Sequence, residues 1–162
     1  MKQGYKTVIA GILLTSCATF GTPTTINFMD GSSKEAIYIV RNIGGNPNTD
    51  VRLSHLIEDN YSLSAKVQIW SQSVKARPGN IILYADGERI LSSNPGWRFS
   101  HAVTGNSTVW NTSIVLSVGY MEQILNAESF HIRVVGSPES ILGMPEGRDV
   151  SRALPAIRNF VN

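Results

Sequence analysis

The sequence predicts a mainly β domain, built as an antiparallel sandwich or a curled sheet and closed by a short C-terminal helix. Three observations favour this class. Several short segments alternate apolar and polar residues, an Asp-Gly pair separates two apolar runs, and the last residues carry apolar side chains at helical spacing. A chain of 162 residues is expected to form one domain, because two cores of half that size would each be marginal.

The first strand is predicted over residues 36–42, a run of β-branched and aromatic side chains that ends at a Gly- and Pro-containing turn. The next segment, residues 50–60, fits either a strand or one face of a helix that begins at a cap of Asn48, Thr49 or Asp50. Residues 65–70 alternate as a half-buried strand does.

A hairpin is predicted around Asp86 and Gly87, because Asp-Gly between two apolar runs favours a two-residue type I′ turn. The resulting register pairs Ala85 with Glu88, Tyr84 with Arg89, Leu83 with Ile90, and Ile82 with Leu91. Both faces of this hairpin carry apolar pairs. We therefore expect it to lie inside a sheet packed on both sides, with its tip in water.

Two further strands are predicted over residues 97–103 and 107–119. Alternation assigns one face of each strand to the core, and that face holds Trp97 and Phe99 in the first strand and Trp110, Thr112, Ile114, Leu116 and Val118 in the second.

A short helix is predicted over residues 120–127, followed by a strand over residues 130–134. In that strand Phe130, Ile132 and Val134 point inward and His131 points outward. Residues 149–161 are predicted to form an amphipathic helix that packs on the sheet, with a kink or a restart at Pro155.

The N-terminus is predicted to direct export. Residues 1–7 carry two lysines and no acid, and residues 8–14 have no polar side chain. Seven apolar residues are too few to span a bilayer but suffice for the core of a secretory signal. The following residues, Leu14-Thr15-Ser16-Cys17, resemble the lipobox of bacterial lipoproteins.

That resemblance implies acylation of Cys17, cleavage before it, and anchoring of the mature chain in a membrane of the cell envelope. Because Ala18 rather than aspartate follows the cysteine, it also implies the outer membrane rather than the inner one. Residues 1–16 are then the signal peptide, residues 17–35 an acylated N-terminus with a flexible tether rich in Thr, Gly, Ser and Pro, and residues 36–162 the globular domain. The alternative is ordinary cleavage after Ala18, which yields a soluble periplasmic or secreted chain.

Charge argues against nucleic acid as a partner. Removing Lys2 and Lys6 with the signal leaves 12 of the 14 cationic residues, which equals the 12 acidic ones. The arginines are scattered among acids instead of forming a basic face.

No catalytic or metal-binding motif stands out, and no cofactor is expected. His55, His101 and His131 lie far apart in the sequence without a cysteine nearby or an HExxH pattern, which gives no support for zinc. His101 follows Ser100 and lies near Arg98, so it is the side chain we single out for a possible hydrolase pocket.

Among the three tryptophans, Trp70 is the one we expect to be exposed for binding, since Trp97 and Trp110 share faces with apolar residues. The sequence thus favours a non-catalytic envelope lipoprotein that has a structural or interaction role, with another envelope protein as its candidate partner. The alternatives are a secreted or periplasmic hydrolase, and a module that binds carbohydrate or peptidoglycan.

Overall fold

The computed structural model describes residues 23–27, 33–41, 48–56, 59–70, 77–100, 107–137 and 147–162. At residues 23–27, 33–34, 70 and 137 the description covers the backbone alone. Within these ranges the protein forms two antiparallel sheets and two helices around one hydrophobic core, which confirms the predicted fold class.

The larger sheet has six strands in the order β1-β2-β3-β4-β8-β7. Their bounds are β1 Pro23–Asn27, β2 Ser33–Arg41, β3 Asn48–His55, β4 Tyr61–Trp70, β7 Arg98–Ser100 and β8 Ser107–Leu116. The smaller sheet has four strands in the order β10-β9-β5-β6. Their bounds are β5 Arg77–Ala85, β6 Glu88–Ser93, β9 Phe130–Ser137 and β10 Arg148–Asp149.

The strands of the N-terminal half agree with the expected pattern. β2 covers residues 36–41 of the strand predicted over residues 36–42, whose last residue lies outside the described part, and β4 contains the segment predicted at residues 65–70. β3 settles the segment left open between helix and strand. Val51 and Leu53 are buried on one face of β3, and the strand is hydrogen-bonded to β2 on one side and β4 on the other.

The strand β1 lies inside the segment assigned to the tether. It pairs with β2 from Pro23↔Ile37 to Asn27↔Ser33. The expectation of a flexible tether is therefore wrong for residues 23–27, where backbone pairing to the edge of the larger sheet outweighs a composition typical of linkers. Cys17 and the residues up to 22 lie outside the described part.

The Asp86-Gly87 hairpin is confirmed, and its register is confirmed only next to the turn. Both turn residues have positive φ, 50° at Asp86 and 81° at Gly87, as a type I′ turn requires. Ala85 pairs with Glu88 and Tyr84 with Arg89, but Leu83 pairs with Leu91 and Ile82 with Ser92. A β-bulge takes up Ile90 and shifts every later pair by one residue.

The expectation that this hairpin is packed on both sides is wrong for one of its strands. In β5 the consecutive residues Ile81, Ile82 and Leu83 are all buried. The strand β6, however, is the edge of the smaller sheet, and its residues are exposed or half-buried.

The strand predicted to run to residue 119 ends earlier, at Leu116. The helix α1, Val118–Asn126, begins directly after it and buries Met121 and Ile124. Val118, expected in the core, is 46% exposed because it lies in the first turn of that helix, facing away from the core. The amides of Tyr120 and Met121 both donate to the Ser117 carbonyl, 3.1 Å each, which starts the helix at this point.

The C-terminal half otherwise follows the prediction. Phe130, Ile132 and Val134 of β9 are fully buried. A 3-10 turn, Ser151–Ala153, leads into α2, Leu154–Val161, whose first turn contains Pro155, so the helix restarts at this residue. Leu154 and Ile157 join the core between the sheets.

Arg158 connects the two helices. Its Nε donates to the Leu125 carbonyl at 2.9 Å, and its Nη2 donates to the Ala127 carbonyl at 2.8 Å. These carbonyls lie at the C-terminal end of α1, where a cation is favoured by the helix dipole. None of the described helices is long and apolar enough to cross a membrane.

Candidate functional site: an aromatic groove

An aromatic-lined concavity lies where β5 begins, β9 ends, and the chain passes from β6 to β7. It measures about 550 Å³, within the range of small-molecule sites. The described residues that line it are Arg77, Pro78, Gly79, Asn80, Asn94, Trp97, Trp110, Val135 and Gly136. Both sheets and the segment joining their edges therefore contribute to one groove.

Trp97 forms a fixed wall of this groove. Its Nε1 donates to the Gly79 carbonyl at 2.6 Å, which ties the crossing segment to β5. At this point the pairing of β5 with β9 shifts by one residue, between Pro78 and Ile81. A Cβ on Gly79 would meet the Val135 carbonyl oxygen at 3.0 Å, so a glycine here lets the two strands approach closely.

Trp110 also lines the groove, and Phe99 packs against it. They are paired across β8 and β7, and their ring centroids lie 5.3 Å apart with an interplanar angle of 67°, an edge-to-face contact. Trp110 is half-buried, and its Nε1 is shielded from solvent without a hydrogen-bond acceptor in the described part of the chain. An unpaired buried donor is costly, so this ring is held by packing rather than by a polar contact.

These rings correct the expectation that Trp97, Phe99 and Trp110 belong to the core. Phe99 is 53% exposed, and both tryptophans are half-buried. The alternation was assigned correctly, but β7 is the edge of a six-stranded sheet that faces a four-stranded one. An inward-facing residue at that edge is therefore left partly uncovered.

The polar part of the lining consists of Arg77, Asn80 and Asn94, all exposed. Arg77 is the sole ionisable side chain among the described residues that line the groove. A general acid or base needs a carboxyl, imidazole or similar group within reach of the reacting atom. The described lining offers none, so it is suited to holding a ligand by stacking and hydrogen bonds.

The crossing segment is also held from its other side. Thr112 Oγ1 donates to the Gly96 carbonyl at 3.4 Å, and a shallow polar pocket of about 470 Å³ lies there. Next to it, Asn111 Nδ2 donates to Ser100 Oγ at 2.9 Å. The aromatic groove is thus built on two sheets and a segment anchored to both.

The carboxyl groups with perturbed pKa values have structural roles. Hydrogen bonds from the Ser129 and Glu128 amides lower the pKa of Asp86, which joins the hairpin turn to the residues before β9. Hydrogen bonds from the Ser151 hydroxyl and amide lower the pKa of Asp149. A lowered pKa keeps both groups ionised, which is the opposite of what a general acid requires.

The described histidines also pack or face outward. His55 Nε2 lies 3.1 Å from the Phe160 carbonyl oxygen, and its ring packs between Tyr61 and Phe160 at centroid distances of 4.8 and 4.6 Å. His131 is half-buried on β9, next to Asp149. Among the described residues, no three His, Cys, Asp or Glu side chains are grouped so that they could hold a metal ion.

The residues that the sequence singled out are not the ones that line the groove. Cys17 and His101 lie outside the described residues, and for Trp70 the description covers only the backbone, which pairs with Ser107. Ser100, beside His101, donates to the Val109 carbonyl and accepts from Asn111. The signal that could have located the groove is the spacing of Trp97 and Phe99, combined with a pairing that sets Phe99 opposite Trp110.

No family model, curated protein or solved structure matches this chain.

Proposed function

We propose that this protein is a non-catalytic ligand-binding domain, anchored by lipid on Cys17 in the bacterial cell envelope. The observation that carries the binding role is the groove lined by Trp97 and Trp110, with Phe99 packed against Trp110 beside it. More than half of the Phe99 side chain is exposed. Aromatic side chains that line a concavity on a folded domain are typical of a binding site.

Binding is favoured over catalysis by the chemistry of the lining. The described lining combines three polar side chains, two indole rings and backbone, with Arg77 as its one charge. Such a surface can orient and retain a ligand. It supplies no described group that moves a proton or attacks a bond.

The anchor is supported by the N-terminal sequence. The lipobox-like Leu14-Thr15-Ser16-Cys17 predicts a diacylglyceryl group on the Cys17 thiol and a fatty acid on its amine, and two or more chains give stable membrane attachment. Ala18 in the next position favours the outer membrane. In a chain anchored in this way, the groove is accessible to other components of the envelope.

The anchor is tested by the intact mass of the protein recovered from the membrane fraction. We expect a chain that begins at Cys17 and carries the added mass of its acyl groups. The Cys17→Ala variant should lose both the added mass and the membrane association. A soluble wild-type product that begins at Thr19 would contradict the anchor.

The binding role is tested separately, by photo-crosslinking in cells. A benzophenone amino acid is placed at Phe99, which packs against Trp110 beside the groove, or, as a matched control, at Val115, which is 62% exposed on the same sheet. We expect a discrete adduct from position 99 and none of the same mass from position 115. Absence of an adduct at position 99, or the same adducts from both positions, would contradict binding at the groove.

A further inference from the structure

We propose that the groove binds a saccharide chain that carries carboxylate groups. This inference rests on the proposed binding function and names the chemistry of the ligand. The juxtaposition that carries it is two indole rings, two amide side chains and one cation among the described residues that line the groove.

The aromatic wall suits sugar rings. The face of an aromatic ring carries partial negative charge and attracts the polarised C–H groups that line one face of a pyranose. Trp110 lines the groove, and Phe99, which is 53% exposed, packs edge-to-face on it and extends the aromatic surface beside the groove. Trp97, held through Nε1 to the Gly79 carbonyl, adds a second ring whose position is fixed before binding. A preformed wall reduces the ordering cost of association.

The amide side chains suit hydroxyl groups. Asn80 lies in β5 and Asn94 directly after the neighbouring strand β6, and both are exposed at the groove. An amide offers a donor and an acceptor, which matches a sugar hydroxyl that is both. A lipid acyl chain would bury these amides without hydrogen bonds, at a cost of about 1–3 kcal/mol for each unsatisfied polar group, so it fits this lining poorly.

The positive charge of Arg77 in the lining favours an anionic ligand. Arg77 is exposed at the start of β5, and no carboxylate is among the described lining residues. The guanidinium binds carboxylates through two parallel hydrogen bonds. A saccharide with carboxylate substituents therefore satisfies the aromatic, amide and cationic parts of the groove together.

The test is calorimetric titration of the full chain in detergent with two defined probes, an oligogalacturonate and a neutral cello-oligosaccharide of the same length. We expect the acidic chain to bind more tightly than the neutral one, with an advantage that falls as salt is added. The Trp110→Ala variant should bind both probes about fivefold to tenfold more weakly. Val115→Ala, on the same strand but not in the groove lining, should bind as the wild type does.

The Arg77→Gln variant measures the contribution of the Arg77 charge to binding separately from that of the other lining residues. It should weaken the acidic probe about tenfold and leave the neutral probe unchanged, so that the two bind alike. If the wild type binds both probes equally and Arg77→Gln changes neither, the preference for carboxylate is overturned.

Failure of this inference is distinguishable from failure of the proposed function. If neither probe binds the wild type while crosslinking at position 99 still yields an adduct made only of polypeptide, the groove binds a protein and the saccharide inference is overturned. If crosslinking at position 99 yields nothing, the binding function itself is overturned.

Discussion

The contact of Arg158 with α1 gives a quantitative prediction for stability. Arg158→Met keeps most of the side-chain length but removes both hydrogen bonds, from Nε to the Leu125 carbonyl and from Nη2 to the Ala127 carbonyl. These bonds join the last turn of α2 to the end of α1, and each has a charged donor. The variant therefore disconnects the two helices without opening a large cavity.

The size of the effect follows from the number of bonds and their surroundings. A hydrogen bond from a charged group contributes about 1.5–3 kcal/mol. Arg158 is half-buried, so water replaces part of what is lost, and we expect a total loss of about 2 kcal/mol in the free energy of unfolding. For a domain of this size that corresponds to a fall in Tm of about 4–8 °C.

The assay is urea unfolding followed by tryptophan fluorescence and circular dichroism. With a urea m-value of about 2 kcal/mol/M, the midpoint should fall by about 1 M. Arg158→Lys should lose an intermediate amount, because an ammonium group lacks the planar fork that spans two carbonyls. Arg152→Met is the control, since Arg152 is exposed in the preceding turn and should change stability by less than about 0.5 kcal/mol. If Arg158→Met and Arg152→Met have the same midpoint, the bonds between the helices do not stabilise the fold and the reasoning is refuted.

Three further predictions concern the hairpin and the core. The Asp86→Asn variant should be less stable than the wild type at pH 7. Hydrogen bonds from Ser129 and Glu128 lower the pKa of Asp86 in the folded state. The stabilisation from the ionised carboxylate is therefore complete above the unfolded-state pKa of about 3.9, and it is lost as the pH falls through the lower folded-state pKa. The urea midpoints of variant and wild type should therefore differ at pH 7, and the difference should shrink as the pH falls below about 3.9; an undiminished difference at low pH would contradict this. Gly87→Ala should lower the free energy of unfolding by about 1–2 kcal/mol, measured by thermal unfolding. The backbone φ at this position is 81° and nothing lies within 4 Å of an added Cβ, so the loss comes from backbone strain alone. No change in Tm would contradict the type I′ turn. Phe130→Ala should cost about 3–5 kcal/mol by chemical unfolding, since its side chain is completely buried, and a loss below about 1 kcal/mol would show that the site is not packed as described.

Local chemistry in the sequence predicts the features that depend on few residues. The Asp86-Gly87 turn needs two positive φ angles, and both residues tolerate them. Pro155 cannot continue a helix but fits its first turn, so the restart at this position follows from one residue. The inward face of β9 follows from strict alternation of apolar residues.

The remaining features depend on neighbours distant in the chain. The bulge at Ile90 shifts the hairpin register without any local signal such as a glycine. The exposure of Phe99 depends on how far the smaller sheet extends beneath β7, and nothing in residues 97–103 encodes that extent. The groove was missed for the same reason: alternation assigns a ring to a face, but only the stacking of the sheets decides whether that face is covered.

The order of strands within the sheets has a consequence for when the chain can fold. Until β8 is present, β4 has a neighbouring strand on one side only. Until β9 is present, β5 is paired with β6 alone. The core also includes Leu154 and Ile157 from α2. The first half of the chain therefore cannot bury its apolar strands by itself, and pairing of such distant segments is intrinsically slow. For a chain with the export signal proposed above, this delay keeps the polypeptide unfolded, and therefore competent for export, until its last residues have been synthesised.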